Sequence, residues 1–160
     1  MNYWLFKSEP NEFSFDDLLN MPDQTEHWDG VRNYQARNFM RDDMRVGDLA
    51  FFYHSNCKEP GIVGIVEVAA EGYPDFTAFD ASDPHFDRDS DPDNPRWFMV
   101  DVRFVRPLRR TITLKELKQV AALKNFPLVR KGNRLSVMPV QENEWETILD
   151  LEERRQSPRV

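Results

Sequence analysis

The chain is poor in the features that announce most kinds of chemistry. A single cysteine in 160 residues, Cys57, excludes an internal disulfide framework and fits a reducing compartment. Its place in the turn from Asn56 to Gly61 marks it as a surface thiol and not a nucleophile. No apolar run approaches the ~20 residues of a membrane-spanning helix, and the stretch from Tyr3 to Phe6 is too short for a signal peptide. A cytoplasmic protein with no membrane partner is expected. The three histidines, His27, His54 and His85, are scattered and form no short-spaced ligand pair, so no metal is expected. The aspartates between Asp80 and Asp93 lack the glycine and terminal glutamate of a calcium loop. No glycine-rich loop can cradle phosphate, since Gly61 and Gly64 fall in a hairpin pattern, and no cofactor is expected. Positive charge is short too. A net charge of −7 excludes indiscriminate coating of nucleic acid, which depends on Lys and Arg neutralising phosphates.

What charge there is lies unevenly. From Val102 to Leu135 the chain carries ten Lys and Arg against one acid, Glu116. An acidic protein with one basic segment fits either a directed contact with a polyanion or a solvated basic edge. Within that segment Arg103, Arg109, Arg110, Arg130, Lys131 and Arg134 are the candidate phosphate contacts.

The length suits one ordinary domain, spanning residues 1–151, whose folding removes roughly 70 % of the unfolded chain's surface. Tyr3 to Lys7 reads as a first strand, stopped where Pro10 restricts the residue before it. Ser14 can cap a short helix through Leu19, and Asn33 a second one through Met40. Leu49 to His54 and Ile62 to Glu71 form a hairpin around Pro60-Gly61. Trp97 to Val105 alternates as a half-buried strand. Thr113 caps a turn of helix over 114–118, Leu135 to Met138 is a short strand, and Gln141 to Leu151 is a closing helix that buries Trp145, Ile148 and Leu149. Residues 152–160 lack apolar content and read as a frayed tail. Between Tyr73 and Arg96, four prolines and seven aspartates break all periodicity. Tyr73, Phe76, Phe79 and Phe86 anchor this excursion to the domain. Strands dominate and helices are short. An α+β fold is expected, a small mixed β-barrel decorated by short helices.

Two segments are open to a functional as well as a structural reading, and so are two tryptophans: Trp28 is a core plug or a stacking ring, and Trp97 core or pocket wall. Trp28, Arg32, Asn33, Tyr34, Gln35, Arg37 and Asn38 crowd aromatic rings against planar amides and guanidinium groups, at neither helical nor strand spacing. Tyr53, His54, Ser55 and Asn56 end a strongly apolar strand. Flat hydrogen-bonding groups beside rings are what a pocket needs to hold a planar heterocycle such as a nucleobase. Ser8, Trp28, Tyr53, Ser55 and Trp97 are expected to converge on the largest concavity, one that accepts small anions or planar heterocycles. Lys7-Ser8 and His54-Ser55 are poor nucleophile–base pairs, because neighbours in a strand point to opposite faces.

With these residues in view, the chain resembles the EVE domain family of the PUA-like superfamily, which is related to the YTH readers of methylated adenine. The likeness rests on Tyr3-Trp-Leu-Phe-Lys-Ser-Glu-Pro10, Trp28-Asp-Gly-Val-Arg-Asn-Tyr-Gln-Ala-Arg-Asn38 and Gly47-Asp-Leu-Ala-Phe-Phe-Tyr-His-Ser-Asn56. It continues through Pro60-Gly-Ile-Val-Gly-Ile65, Tyr73-Pro-Asp75, Pro95-Arg-Trp97, Arg134-Leu-Ser-Val137 and Trp145. The resemblance implies a PUA-like barrel whose pocket, lined or supported by Lys7, Ser8, Trp28, Asn33, Tyr53, Ser55 and Trp97 with Arg32 and Arg37 nearby, captures a modified base of RNA or DNA. In that reading the chain is a binding module with no catalytic residue. The alternatives are a hydrolase of a nucleoside-like amide using Lys7 or His54 as base, and a protein-interaction module built on the acidic loop.

Overall fold

In the computed structural model, which describes residues 1–154, six strands form one mixed sheet. They are β1 (Tyr3–Ser8), β2 (Thr25–His27), β3 (Leu49–His54), β4 (Gly61–Pro74), β5 (Phe98–Thr113) and β6 (Val137–Val140). The helices are α1 (Phe15–Leu19), α2 (Tyr34–Asn38), α3 (Leu114–Lys118) and α4 (Glu142–Glu153), with a π-turn over Phe39–Asp43 extending α2. The strand order is β2-β5-β4-β3-β1-β6. β1 runs parallel to β3, and the other pairs are antiparallel. The long pair β4–β5 shifts register four times, and each irregularity bends and twists the ribbon. Even so, β2 and β6 remain separate edges. The expected barrel is therefore an open, strongly curved sheet.

Alternation along the strands sorts side chains between two cores. Trp4, Phe6, Ala50, Phe52, Val66 and Val100 face one way, under Phe15 and Leu18 of α1, Trp28, and Met40 and Met44. Leu5, Phe51, Tyr53, Ile62 and Ile112 face the other, under Leu117, Phe126 and the Trp145–Leu151 face of α4. Trp145 lies between Tyr3 and Phe51, stacked at 4.5 and 4.0 Å. β1 and β3 are flanked on both edges and covered on both faces. This explains why they read as unbroken apolar runs.

Several local signals act as their chemistry dictates. Ser14 and Asp17 make a reciprocal capping box on α1, and Asn33 caps α2 by accepting the Ala36 N–H at 3.0 Å. In the 80–93 loop, Asp80, Asp83, Asp87 and Asp91 each accept a backbone N–H from two residues ahead, so the acidic run is a chain of tight turns. The expected tail at 152 is corrected. α4 continues through Glu153, and Glu152 is only 4 % exposed; residues 155–160 lie outside the described part of the chain. Missing from the sequence reading were the short edge strand β2 and the parallel pairing of β1 with β3, both of which depend on contacts distant in sequence.

Candidate functional site

β1 ends where the chain turns at Glu9-Pro10, and β2 ends at His27. Between them opens a cleft of about 400 Å³. Lys7, Ser8, Glu9, Glu12 and Phe13 form one wall, and Glu26 to Arg32 the other. His85 reaches in from the acidic loop and Ser136 from the approach to β6. Depressions elsewhere are larger, at about 620, 610 and 420 Å³, so the expected site is not the largest concavity.

The far wall is held by one buried carboxylate. Asp75 Oδ2 accepts the Gly30 N–H at 2.8 Å and Arg32 Nη1 at 3.1 Å. Its Oδ1 accepts the Thr77 N–H and hydroxyl at 2.8 and 2.5 Å. Burial pushes the Asp75 carboxyl up, but hydrogen bonds from Thr77, Gly30 and Arg32 outweigh it and hold the group below the usual carboxylate range. Gly30 has φ of +79°, and a Cβ there would sit 2.6 Å from the His85 ring. The left-handed turn and the close imidazole both call for glycine. His85 in turn stands 3.6 Å from Asp29 and 3.3 Å from Asp83, a grouping that sequence spacing could not show.

The cleft brings together Lys7, Ser8, Trp28 and Arg32 among the expected residues; Asn33, Arg37, Tyr53, Ser55 and Trp97 lie outside it. Tyr53 packs in the opposite core, where burial pushes its phenol up to about 12. Ser55 meets Ser8 only through its backbone, donating its N–H to the Ser8 carbonyl at 3.0 Å. Trp97 sits behind Arg32, whose guanidinium lies 5.3 Å from the indole ring. Tyr34 stacks on Trp97 at 4.9 Å, and Arg37 lies 4.8 Å from the Tyr34 ring. Arg37 also donates to the Arg96 carbonyl at 2.9 Å, and the Trp97 N–H donates to Asp87 at 2.7 Å. The crowded planar groups therefore form an Arg–Trp–Tyr–Arg stack that fastens the 32–37 segment to the 85–97 loop. No cage is built from Trp28 and Trp97, which are 8 % and 6 % exposed. Trp28 meets Phe6, Phe13 and Phe52 edge-on at 5.2 to 6.3 Å, so Trp28→Ala removes a core ring as well as part of the cleft.

The basic segment also needs correction. Arg103 pairs with Glu67 at 3.1 Å, Arg109 with Glu153 at 2.7 Å, and Arg110 with Glu116 at 2.7 Å. Arg106 grips the buried Glu152 at 2.7 and 3.0 Å. Arg106, with the Arg109 N–H beside it, holds the Glu152 carboxyl below its ordinary range despite burial. Arg106 and Arg109 lash α4 to β5, Arg110 ties β5 to α3 and to the Leu151 carbonyl of α4, and Arg103 ties β5 to β4. Arg130, Lys131 and Arg134 are exposed and make no ion pair with any described residue.

Of the side chains a hydrolase could use, Ser8 and His54 are committed elsewhere, whereas Lys7 lines the cleft with its amine pushed below its ordinary range by burial. The Ser8 hydroxyl donates to the Phe13 carbonyl at 2.5 Å. His54 Nε2 accepts the Phe15 N–H at 3.1 Å, which requires a neutral nitrogen there. Burial pushes His54 below its usual 6.5, against the opposing pull of Asp16 and Asp17. The unfolded chain thus takes up a proton at His54 first, and stability is lost as pH falls from 6.5 through the lower native value. His54→Gln keeps an acceptor for Phe15 and removes the titration. It is expected to narrow the drop in melting temperature between about pH 7.5 and about pH 5.5. An unchanged drop in circular-dichroism melts would assign that pH dependence to the carboxylates.

A family model described as the EVE domain matches residues 2–151. The chain belongs to the EVE domain family. Its relatives include human thymocyte nuclear protein 1, 48 % identical over an alignment that covers 98 % of this chain and 76 % of the relative. A Pseudomonas putida protein of known crystal structure is 49 % identical, with a TM-score of 0.90 over 94 % of this chain and 99 % of that one. The human THYN1 protein, crystallised in complex with 5-methylcytosine-containing DNA, is 47 % identical, with a TM-score of 0.90 over 98 % of this chain and 100 % of that one.

Proposed function

We propose that this EVE domain is a binding module that takes a modified nucleobase of a nucleic-acid strand into the cleft between Phe13, His27 and His85. The observation that carries this reading is the likeness, over nearly the whole of both chains, to the human protein crystallised with 5-methylcytosine-containing DNA. The cleft agrees with it in size and in charge. At about 400 Å³ it lies at the small end of ligand sites, roughly 300–1,000 Å³, which suits one base and not a nucleotide with its phosphates. Its acids, Glu9, Glu12, Glu26 and Asp29, outnumber Lys7 and Arg32. Such a lining repels phosphate and other small anions and offers acceptors to an exocyclic amine, the donor that cytosine presents. This charge balance supports the heterocycle half of the sequence expectation and not the anion half. Extruding a base costs a few kcal/mol, and one aromatic stack returns about 1–3 kcal/mol, so the half-exposed rings of Phe13 and His27 matter most.

Matched duplexes differing only in 5-methylcytosine test the proposal. The methylated duplex is expected to bind more tightly, and Phe13→Ala or His27→Ala to weaken it about tenfold, the scale of one lost stack. Equal affinity for the two duplexes, or indifference to both substitutions, would sink the reading.

A further inference from the structure

An acid-lined cleft that admits a base has to leave the phosphates of that strand somewhere else, and the sheet shows where. β1 and β3 end, and β4 and β6 begin, on the same side of the molecule. Ser136 bonds to Lys7, Lys7 pairs with Tyr53, Tyr53 with Ile62, and Ile62 with Ile112. One end of the sheet therefore runs across five adjacent strands, from the Ser8–Ser136 side of the cleft to the β5–α3 junction. At about 4.8 Å per strand the span is about 19 Å.

At the far end of that line lies a groove of about 610 Å³ flanked by Lys58, Lys115 and Lys118 against a single acid, Glu59. Residues 127–129 pack against both α3 and β6, so the loop carrying Arg130, Lys131 and Arg134 runs between the groove and the cleft. All six cations are exposed, and none forms an ion pair with a described residue. The contrast with Arg103, Arg106, Arg109 and Arg110, each held by a glutamate, is clear. In a chain with net charge −7, this end of the sheet gathers unpaired positive charge.

We propose that Lys58, Lys115, Lys118, Arg130, Lys131 and Arg134 form a phosphate track that holds the backbone of the nucleic-acid strand whose base enters the cleft. The reading of the cleft as a base site supplies the partner; the pairing pattern and the sheet supply the track. Its length of about 19 Å matches five to six base steps at about 3.4 Å each. The paired arginines of β5 contribute little, because a guanidinium already engaged by a carboxylate releases few counterions on meeting phosphate.

Binding of the methylated and unmethylated duplexes, measured over a salt series, tests the track. Replacing Lys58, Lys115 and Lys118 together by alanine is expected to lower the slope of log affinity against log salt by about 2 to 3, on about 0.9 per phosphate contact. The affinity lost between about 50 and about 200 mM salt then shrinks about 40-fold. Replacing Arg130, Lys131 and Arg134 should act alike, and both variants should keep the preference for the methylated duplex. Arg103→Ala with Arg109→Ala should change the slope by less than about 1. A slope flattened by the arginine pair and untouched by both triple variants overturns the track. Flattening by the triple variants with no methyl preference in the unsubstituted chain upholds the track and overturns the base site. Failure of the unsubstituted chain to bind either duplex overturns both.

Discussion

Asp75→Ala is expected to lose about 3–5 kcal/mol of folding stability, the range for removing one partner of a buried ion pair. The Asp75 side chain is wholly shielded from solvent, while that of Arg32 is 25 % exposed. Its two oxygens accept hydrogen bonds from Gly30, Arg32 and Thr77, so alanine takes the acceptor from two backbone N–H groups and the Thr77 hydroxyl and leaves the Arg32 guanidinium with only the Val31 and His85 carbonyls. The residues it joins are 43 and 45 apart in sequence, and no other described side chain makes that set of contacts. The loss therefore falls on the far wall of the cleft. In urea titrations the midpoint should drop, and amide exchange at Gly30 should quicken more than in the opposite core. Because the native carboxyl is held below its ordinary 3.8, its contribution is present above that value and fades as pH falls through the native one. Asp75→Asn should thus be less stable than the parent at neutral pH, with a smaller decline in acid. A loss below about 1 kcal/mol for alanine, the worth of a single ordinary hydrogen bond, would show that Asp75 does not organise the wall.

Gly64→Ala is expected to cost about 3 kcal/mol, the upper end of ordinary overpacking penalties. A Cβ on Gly64 would overlap the ring of Phe15. That ring cannot swing clear, because it stacks on Phe104 at 4.7 Å, lies 5.1 Å from Phe52 and is 5 % exposed. The clash forces either α1 away from the sheet or β4 out of its pairing with β3. Combining Gly64→Ala with Phe15→Leu should recover part of the loss, so the two changes together should cost less than the sum of each alone. Additive effects in urea denaturation would mean that close approach is not why glycine stands there.

The route by which each residue could be read from sequence differs with the range of its contacts. Ser14, Asn33 and Thr113 act on N–H groups three residues away, and short-range chemistry of this kind is legible in the order of residues. The apolar runs of β1 and β3 likewise declared themselves. The planar cluster from Trp28 to Asn38 was visible as an anomaly, but its role was not. The same rings and guanidinium groups suit a base pocket or a loop clamp, and only the position of Trp97 and Tyr34 relative to Arg32 and Arg37 separates the two. Neither His85 nor Ser136 was marked as a cleft residue, although Ser136 falls in a family motif, since each enters the cleft from a segment far from Ser8 and Trp28. Gly30, after Trp28-Asp29, hinted at a turn without showing that His85 fills the space beside it.

Charge shows the same division. Sequence alone determined that the positive residues concentrate between Arg103 and Arg134, that the chain as a whole is acidic, and that an α+β fold would bury its aliphatic runs. Its motifs were sufficient to mark the family. Only the tertiary structure decided which cations are neutralised. Glu67, Glu152 and Glu153 come to β5 from segments distant in sequence and Glu116 from the adjoining α3, and a formal charge count cannot see such pairing. It also decided that β2 and β6 stay apart, leaving the sheet open, and that Tyr53 falls in the opposite core from Trp28. Side-chain direction in a strand alternates with every residue, so one step of register settles whether a residue near a strand end meets the cleft or the core.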